Sequence, residues 1–121
     1  MNESNDALKA VVESKGYARA SRLAASLGHP EEEVESLRKE ALWQMSAVFR
    51  NASGSRILAD QYGMSRKEVE DFLRKRSEEE KERGNAKSLE PTFDYLTNRY
   101  LSFDEWLDQL LRKWDKLADS G

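Results

Sequence analysis

The sequence predicts an all-α fold of about seven helices, and three observations carry that expectation. No segment alternates apolar and polar residues over the length a strand needs. A pattern of helix, glycine turn and helix occurs twice, 35 residues apart. The last apolar stretch, Phe103 to Leu117, combines helical periodicity, a start signal and charges ordered to suit a helix dipole.

A first helix is expected from about Asn5 to Ser14, with Leu8, Val11 and Val12 as its apolar stripe and Gly16 beyond its end. A second covers about Ala18 to Ser26. Gly28, His29 and Pro30 make a turn, with Pro30 at a helix start, where its missing N–H leaves no bond unmade. The third helix opens on Glu31, Glu32 and Glu33, whose carboxylates suit a helix N-terminus. Its apolar positions Val34, Leu37, Ala41, Leu42, Met45, Val48 and Phe49 carry it to about Arg50.

Residues 51–54 read as a loop, followed by a fourth helix from about Ser55 to Tyr62. Ser65 N-caps a fifth, with Glu68 three residues on completing a capping box and Gly84 as its stop. Residues 84–90 form a polar linker. Pro91 starts a sixth helix, Thr92 to Tyr100, with Phe93, Leu96 and Tyr100 inward. Ser102 and Glu105 form a second capping box and open the last helix. That helix carries Phe103, Trp106, Leu107, Leu110, Leu111, Trp114 and Leu117 on its apolar face. Asp104, Glu105 and Asp108 lie early in it, and Arg112, Lys113 and Lys116 late.

The internal repeat aligns Gly28 on Gly63. It then brings Leu23 onto Leu58, Ala24 onto Ala59, Leu27 onto Tyr62, Val34 onto Val69 and Leu37 onto Phe72. These are the positions a helix-turn-helix requires. The alanine lets two helices cross closely, the glycine accepts the positive φ of the turn, and the later apolar residues anchor the second helix. The expected organisation is two fused units over residues 1–83 sharing the long third helix, the linker 84–90, and a C-terminal helical hairpin over 91–121.

Composition narrows the function classes. The 121 residues carry a net charge of −3 and no Cys, which excludes disulfide and thiolate chemistry. No apolar run approaches the roughly 20 residues of a membrane span, and Met1 to Asp6 is acidic and polar. No membrane association and a cytoplasmic location are expected. His29 is the sole His and has no Asp or Glu cluster at metal-ligand spacing, so neither metal nor cofactor is expected. There is no nucleophile–base pair and no phosphate-cradling glycine loop, so no enzyme is expected.

The second copy holds the candidate site. In a DNA-reading unit the start of the second helix enters the major groove. Here that start is Ser65, Arg66 and Lys67, a hydroxyl and two cations suited to phosphates and guanine edges. Arg74 lies further along toward the opposite backbone, and Arg56 and Gln61 on the preceding helix are placed to anchor phosphate. Glu70 and Asp71 fall near the base edges, where a carboxylate accepts from a cytosine amine but repels phosphate. Residues 51–75 hold five bases against four acids.

The first copy reads differently, because Glu31, Glu32, Glu33 and Glu35 would point carboxylates at a polyanion. It is expected to be structural or to meet a protein partner. The last helix has two readings. Its wide stripe roofs the core, or it forms a homodimer through Phe103, Trp106, Leu110 and Trp114, as paired recognition helices on half-sites require.

Ser55 to Phe72 resembles the general helix-turn-helix of bacterial and phage repressors and recombinases, through Leu58, Ala59, Gly63, Met64, Val69 and Phe72. Residues 15–28 are similar to the first helices of the winged-helix domain in manganese- and iron-responsive bacterial repressors. Neither that family's metal ligands nor a wing after the third helix has a counterpart in the sequence. The resemblance implies sequence-specific binding of double-stranded DNA by a small bacterial or phage transcription regulator. The alternative is a protein-interaction adaptor of helix-turn-helix ancestry that does not bind DNA.

Overall fold

Both glycine turns close with the same hydrogen bonds. In the first, Gly28 N–H donates to Ala25 O at 3.1 Å and His29 N–H to Ala24 O at 3.0 Å. In the second, Gly63 N–H donates to Asp60 O at 3.2 Å and Met64 N–H to Ala59 O at 2.9 Å. Such paired bonds close a helix through a left-handed residue, and φ is +76° at Gly28 and +67° at Gly63. A side chain there costs about 1–2 kcal/mol, which is why glycine recurs at this point of the repeat.

The computed structural model describes residues 3–84, 89–95 and 97–120, with side chains from 6 to 116 over those ranges. Of the described residues 74% are helical, and the chain divides into two compact units, Met1–Gln44 and Met45–Gly121. In the first unit α1 spans Glu3–Glu13, α2 Tyr17–Ser26 and α3 Glu31–Trp43. Its core is Leu8, Ala20, Ala24 and Val34, flanked by Val11, Val12, Leu23, Leu27 and Leu37. Leu23, Ala24, Leu27, Val34 and Leu37 are the apolar positions of the repeat, α1 adds Leu8, Val11 and Val12, and Ala20 and Ala24 have no exposed surface because α2 meets its neighbours closely there.

The expected helix to Arg50 is corrected. α3 stops at Trp43 and the chain continues as a π-helical turn, Gln44–Val48. Residue 50 then takes φ +50°, which ends any helix. The wider π turn breaks the 3.6-residue register, so Val48 and Phe49, expected inward, are 55% and 60% exposed. Asn51 N–H closes the turn on Met45 O at 3.0 Å. Asn51 is also the N-cap of α4 (Ala52–Gln61), its side chain accepting from Gly54 N at 2.9 Å, so α4 starts earlier than expected. A Cβ on Gly54 would sit 2.7 Å from Met45 Sδ, so glycine lets α4 begin against the π turn. The buried hydroxyls of Ser46 and Ser55 bond at 2.9 Å across the same seam.

In the second unit α5 spans Arg66–Glu82 behind Ser65, and both halves of its expected capping box are formed. Its inner face is Val69, Leu73 and Ser77, with Glu80 nearly buried and paired to Arg76 at 2.8 Å.

The all-α, seven-helix expectation is overturned after α5. Among the described residues there are six α-helices, and Thr92–Tyr100 is not one of them. Instead β1 (Thr92–Asp94) and β2 (Arg99–Leu101) pair antiparallel, with Phe93 opposite Tyr100 and Asp94 opposite Arg99. Three causes favour the hairpin. Thr, Phe and Tyr suit strands. Asp94 accepts from Thr97 N at 3.0 Å and Thr97 Oγ1 at 2.6 Å, and Asn98 takes φ +56°. The Phe93 ring meets Tyr95 and Tyr100 edge-on, at 4.8 and 5.2 Å. Leu96, expected inward, lies outside the described residues, as does the linker over 85–88. The C-terminal helical hairpin is therefore a β-hairpin followed by one helix, α6 (Phe103–Ser120).

Arg50 joins these parts. Its guanidinium donates to Ala47 O at 3.4 Å, Leu101 O at 3.1 Å and Glu90 O at 3.0 Å, and its Cζ stands 6.0 Å from the Trp106 ring centroid. Burial holds its pKa below the ordinary arginine value. Arg50→Ala strands carbonyls that its fork satisfies, which costs about 1–3 kcal/mol. Arg50→Lys recovers only part of this, because an ammonium lacks the planar fork. Urea midpoints check both, and an unchanged midpoint for Arg50→Ala refutes the assignment.

The capping box of α6 has a pH signature. Ser102 N–H donates to Glu105 Oε1 and Glu105 N–H to Ser102 Oγ, each at 3.2 Å. The bonds from the Ser102 backbone and then its side chain, helped by Arg99 at 3.1 Å, hold the Glu105 carboxyl below its ordinary range. A depressed folded-state pKa gives stability that is present above the ordinary carboxylate value and lost as pH falls through the lowered one. Glu105→Gln should therefore reduce the fall in denaturation midpoint between neutral and strongly acid solution. An identical fall in both proteins would contradict it.

Candidate nucleic-acid interface

The start of α5 follows the Gly63 turn directly, which sets where its first side chains project. Ser65, Arg66 and Lys67 are exposed there, as is Gln61 at the end of α4. The Ser65 hydroxyl is engaged by the cap, accepting from Glu68 N at 3.2 Å. Lys67 is 79% exposed and paired one helical turn on with Asp71 at 3.2 Å. Arg56 is half-buried on α4 and has no ion pair among the described residues. With Arg66, Asp60, Asp115, Met64 and Trp114 it lines a cavity of about 160 Å³.

The two arginines that matter most are not alone. Arg66 Nη1 lies 3.4 Å from Glu70 Oε1, and its Nε 2.8 Å from Asp115 Oδ1. A second bond, from Arg66 Nη2 to Asp115 Oδ2 at 3.2 Å, makes that pair two-pronged. Arg74 donates to Glu70 Oε2 at 3.0 Å and to Asp108 Oδ1 at 3.2 Å. Glu70 thus bridges two arginines of its own helix while α6 supplies a carboxylate to each. The Glu70 hydrogen bond first, and then Asp108, raise the Arg74 pKa against a modest desolvation. Both arginine side chains are 44% exposed, so the ladder Asp115–Arg66–Glu70–Arg74–Asp108 lies in solvent along the outside of the unit.

Its geometry follows from helix periodicity. Glu70 and Arg74 stand four and eight residues after Arg66, on one face of α5. Asp108 and Asp115 stand seven apart, which is two turns on one face of α6. Arg66 at the start of α5 meets Asp115 near the end of α6, and Arg74 meets the earlier Asp108, so the helices run antiparallel.

The apolar face of α6 is the inside of this unit. Phe103, Trp106, Leu107, Leu110, Leu111 and Trp114 are all buried, and the Trp114 indole donates to Ala52 O at 3.3 Å. The four side chains considered for a dimer face, Phe103, Trp106, Leu110 and Trp114, are therefore already covered within the chain. The Leu117 side chain lies outside the described range.

In the first unit Glu31, Glu32 and Glu33 are exposed at the start of α3. Glu33 meets His29 Nδ1 at 3.0 Å, and Arg38 reaches Glu35 at 3.6 Å and Glu31 at 4.0 Å. Arg19 and Arg22 on α2 are exposed with no ion pair among the described residues.

The sequence alone points to Arg66, Glu70 and Arg74 as residues of one helix, but not to their pairing with each other or with Asp108, an early acid of the last helix, and Asp115. Their seven-residue spacing matches the arginines' eight, but which helix they oppose depends on how α6 rolls onto the core. Among the described residues no group of three or more His, Asp and Glu is placed to hold a metal ion, and no helix is long and apolar enough to cross a membrane.

No protein-family model matches the chain, and neither a curated protein nor a solved structure does. The site is therefore argued from its own chemistry.

Half-exposed ion pairs of this kind contribute about 0.2–1 kcal/mol. A double-mutant cycle on Arg74→Ala and Asp108→Ala, read by urea denaturation, should return a coupling in that range. Zero coupling would mean that the two side chains do not meet in solution.

Proposed function

We propose that the chain binds double-stranded DNA through α5, with Arg66, Lys67 and Arg74 as its principal contacts. One observation carries this reading. Arg66 and Arg74 lie half-exposed on one face of a helix that follows a tight glycine turn, with Lys67 open beside them at the helix start. Eight residues of helix separate the arginines by about 12 Å, close to the roughly 12 Å width of the major groove. Gln61 and Arg56, before the turn, are on the side from which a backbone phosphate would be met.

The charges around the arginines favour a second reading, a helix-turn-helix module that serves as a protein adaptor. Glu70, Asp71, Asp108 and Asp115 set four carboxylates against the three cations Arg66, Lys67 and Arg74. DNA approaching this face meets no net positive field and must take the guanidinium groups from carboxylates already bound to them. An adaptor binds its partner with little dependence on salt and is indifferent to Arg66→Glu.

Fluorescence anisotropy against a randomised duplex pool, at low and physiological salt, separates the two, followed by selection from the bound fraction. The DNA reading expects affinity that falls steeply as salt rises and a loss of at least roughly tenfold for Arg66→Glu, since a bidentate arginine–guanine pair alone is worth about 1–3 kcal/mol. Absence of binding at about 50 mM salt, or equal binding by Arg66→Glu, would reject it in favour of the adaptor.

A further inference from the structure

The ladder joins two helices that the candidate interface does not need joined. The burial of six apolar side chains already holds α6 in place, and half-exposed ion pairs add little to that. Yet α6 turns toward α5 the two carboxylates that reach both arginines of the face, one to each. None of the basic residues Arg112, Lys113 and Lys116 of α6 has an ion pair among the described residues. The α6 charge that engages α5 is therefore wholly acidic.

A carboxylate and a phosphate oxygen use the same donors of a guanidinium in the same geometry. Asp115 takes Arg66 two-pronged, at 2.8 and 3.2 Å, as a phosphate or a guanine edge would take it. Asp108 takes Arg74 through Nη2 at 3.2 Å, while Glu70 holds its Nε. Each end of the ladder opens to solvent. Asp115 and Arg66 border the cavity of about 160 Å³, and Asp108 borders another of about 290 Å³ with Arg99, Glu105, Gln109 and Arg112. The pairs can thus exchange partners without unfolding the core.

We propose that α6 is an electrostatic mask over α5. Asp108 and Asp115 occupy the guanidinium groups of Arg74 and Arg66 as stand-ins for DNA, and their charge sets how tightly the chain binds. This rests on the DNA reading above and adds its regulation. Binding exchanges two carboxylates for nucleic-acid acceptors, so the free energy of two ion pairs is subtracted from every complex. Anything that neutralises Asp108 and Asp115, or draws them off toward a cationic partner, unmasks the face. Glu70 moves with the arginines because it is on their own helix. It keeps them aligned rather than covered.

The test compares the whole chain with Asp108→Asn/Asp115→Asn in duplex-binding anisotropy across a salt series. Asn keeps the shape of Asp and removes the charge. The control, Asp104→Asn/Glu82→Gln, removes the same charge from two exposed acids for which no ion pair is found among the described residues. The expected result is a gain in affinity of roughly two- to thirtyfold for the double variant at low salt, the worth of two surface pairs. The slope of log affinity against log salt should steepen by about one to two, as two arginines become free for phosphate. The control should show a smaller gain. Arg66→Glu in the unmasked background should remove the gain.

An unchanged affinity, in a protein whose binding Arg66→Glu still abolishes, overturns the mask and leaves the DNA reading standing. An equal gain in the control also overturns it, because net charge then explains the effect. No binding in either background, or binding indifferent to Arg66→Glu in both, overturns the DNA reading and the mask with it. If the double variant melts below the assay temperature, Asp108→Asn and Asp115→Asn made singly provide the same comparison, each with a share of the gain.

Discussion

The Met45–Gly121 unit is organised by the burial of one face of α6. Fully burying a large apolar side chain contributes about 1.5–3 kcal/mol, and Phe103, Trp106, Leu107, Leu110, Leu111 and Trp114 all go inside. A half-exposed ion pair contributes about 0.2–1 kcal/mol. The apolar face therefore decides the roll of α6 about its axis, and the carboxylates follow. Once the six side chains are inside, Asp108 and Asp115, on another flank of the same helix, can only lie where α5 presents Arg74 and Arg66. The electrostatics of the candidate site are a consequence of core packing and not its cause.

Arg50 supplies the complementary constraint on the backbone. The π turn, the approach to the hairpin and its second strand each present a main-chain oxygen toward residue 50. The guanidinium of Arg50 reaches Ala47, Leu101 and Glu90 together, which a shorter or unforked side chain does not do. The positive φ of residue 50 turns the side chain back toward the hairpin. A locally strained backbone position is thereby offset by hydrogen bonds at segments 40 and 51 residues away in sequence.

The repeat shows how one local geometry serves two chemical environments. Both glycine turns have the same hydrogen bonds and the same buried alanine, so the helix-to-helix connection is specified by a few positions. What differs is the first turn of the following helix. After Gly28 it is Pro30 and three exposed glutamates, and after Gly63 it is a serine cap and two cations.

Much of this protein was legible without tertiary structure. Caps and turns depend on neighbours within about five residues, so Ser65 with Glu68, Ser102 with Glu105, and the glycines at 28 and 63 could be read directly from their spacing. The apolar face of α6 was legible for the same reason, since helical periodicity alone selects Trp106, Leu110 and Trp114. The hairpin was not. Phe93 and Tyr100 stand seven apart, which fits a helix face as well as a cross-strand pair, and what decides is the Asp94–Thr97 bonds, the positive φ of Asn98 and the bonds of the distant Arg50. The π turn was hidden similarly, because the apolar pattern through Val48 and Phe49 continues a helix that Asn51, Gly54 and Met45 interrupt. The pairing of Arg66 with Asp115 and Arg74 with Asp108 spans 49 and 34 residues. No local rule relates such positions, and only the packing of α6 brings them together.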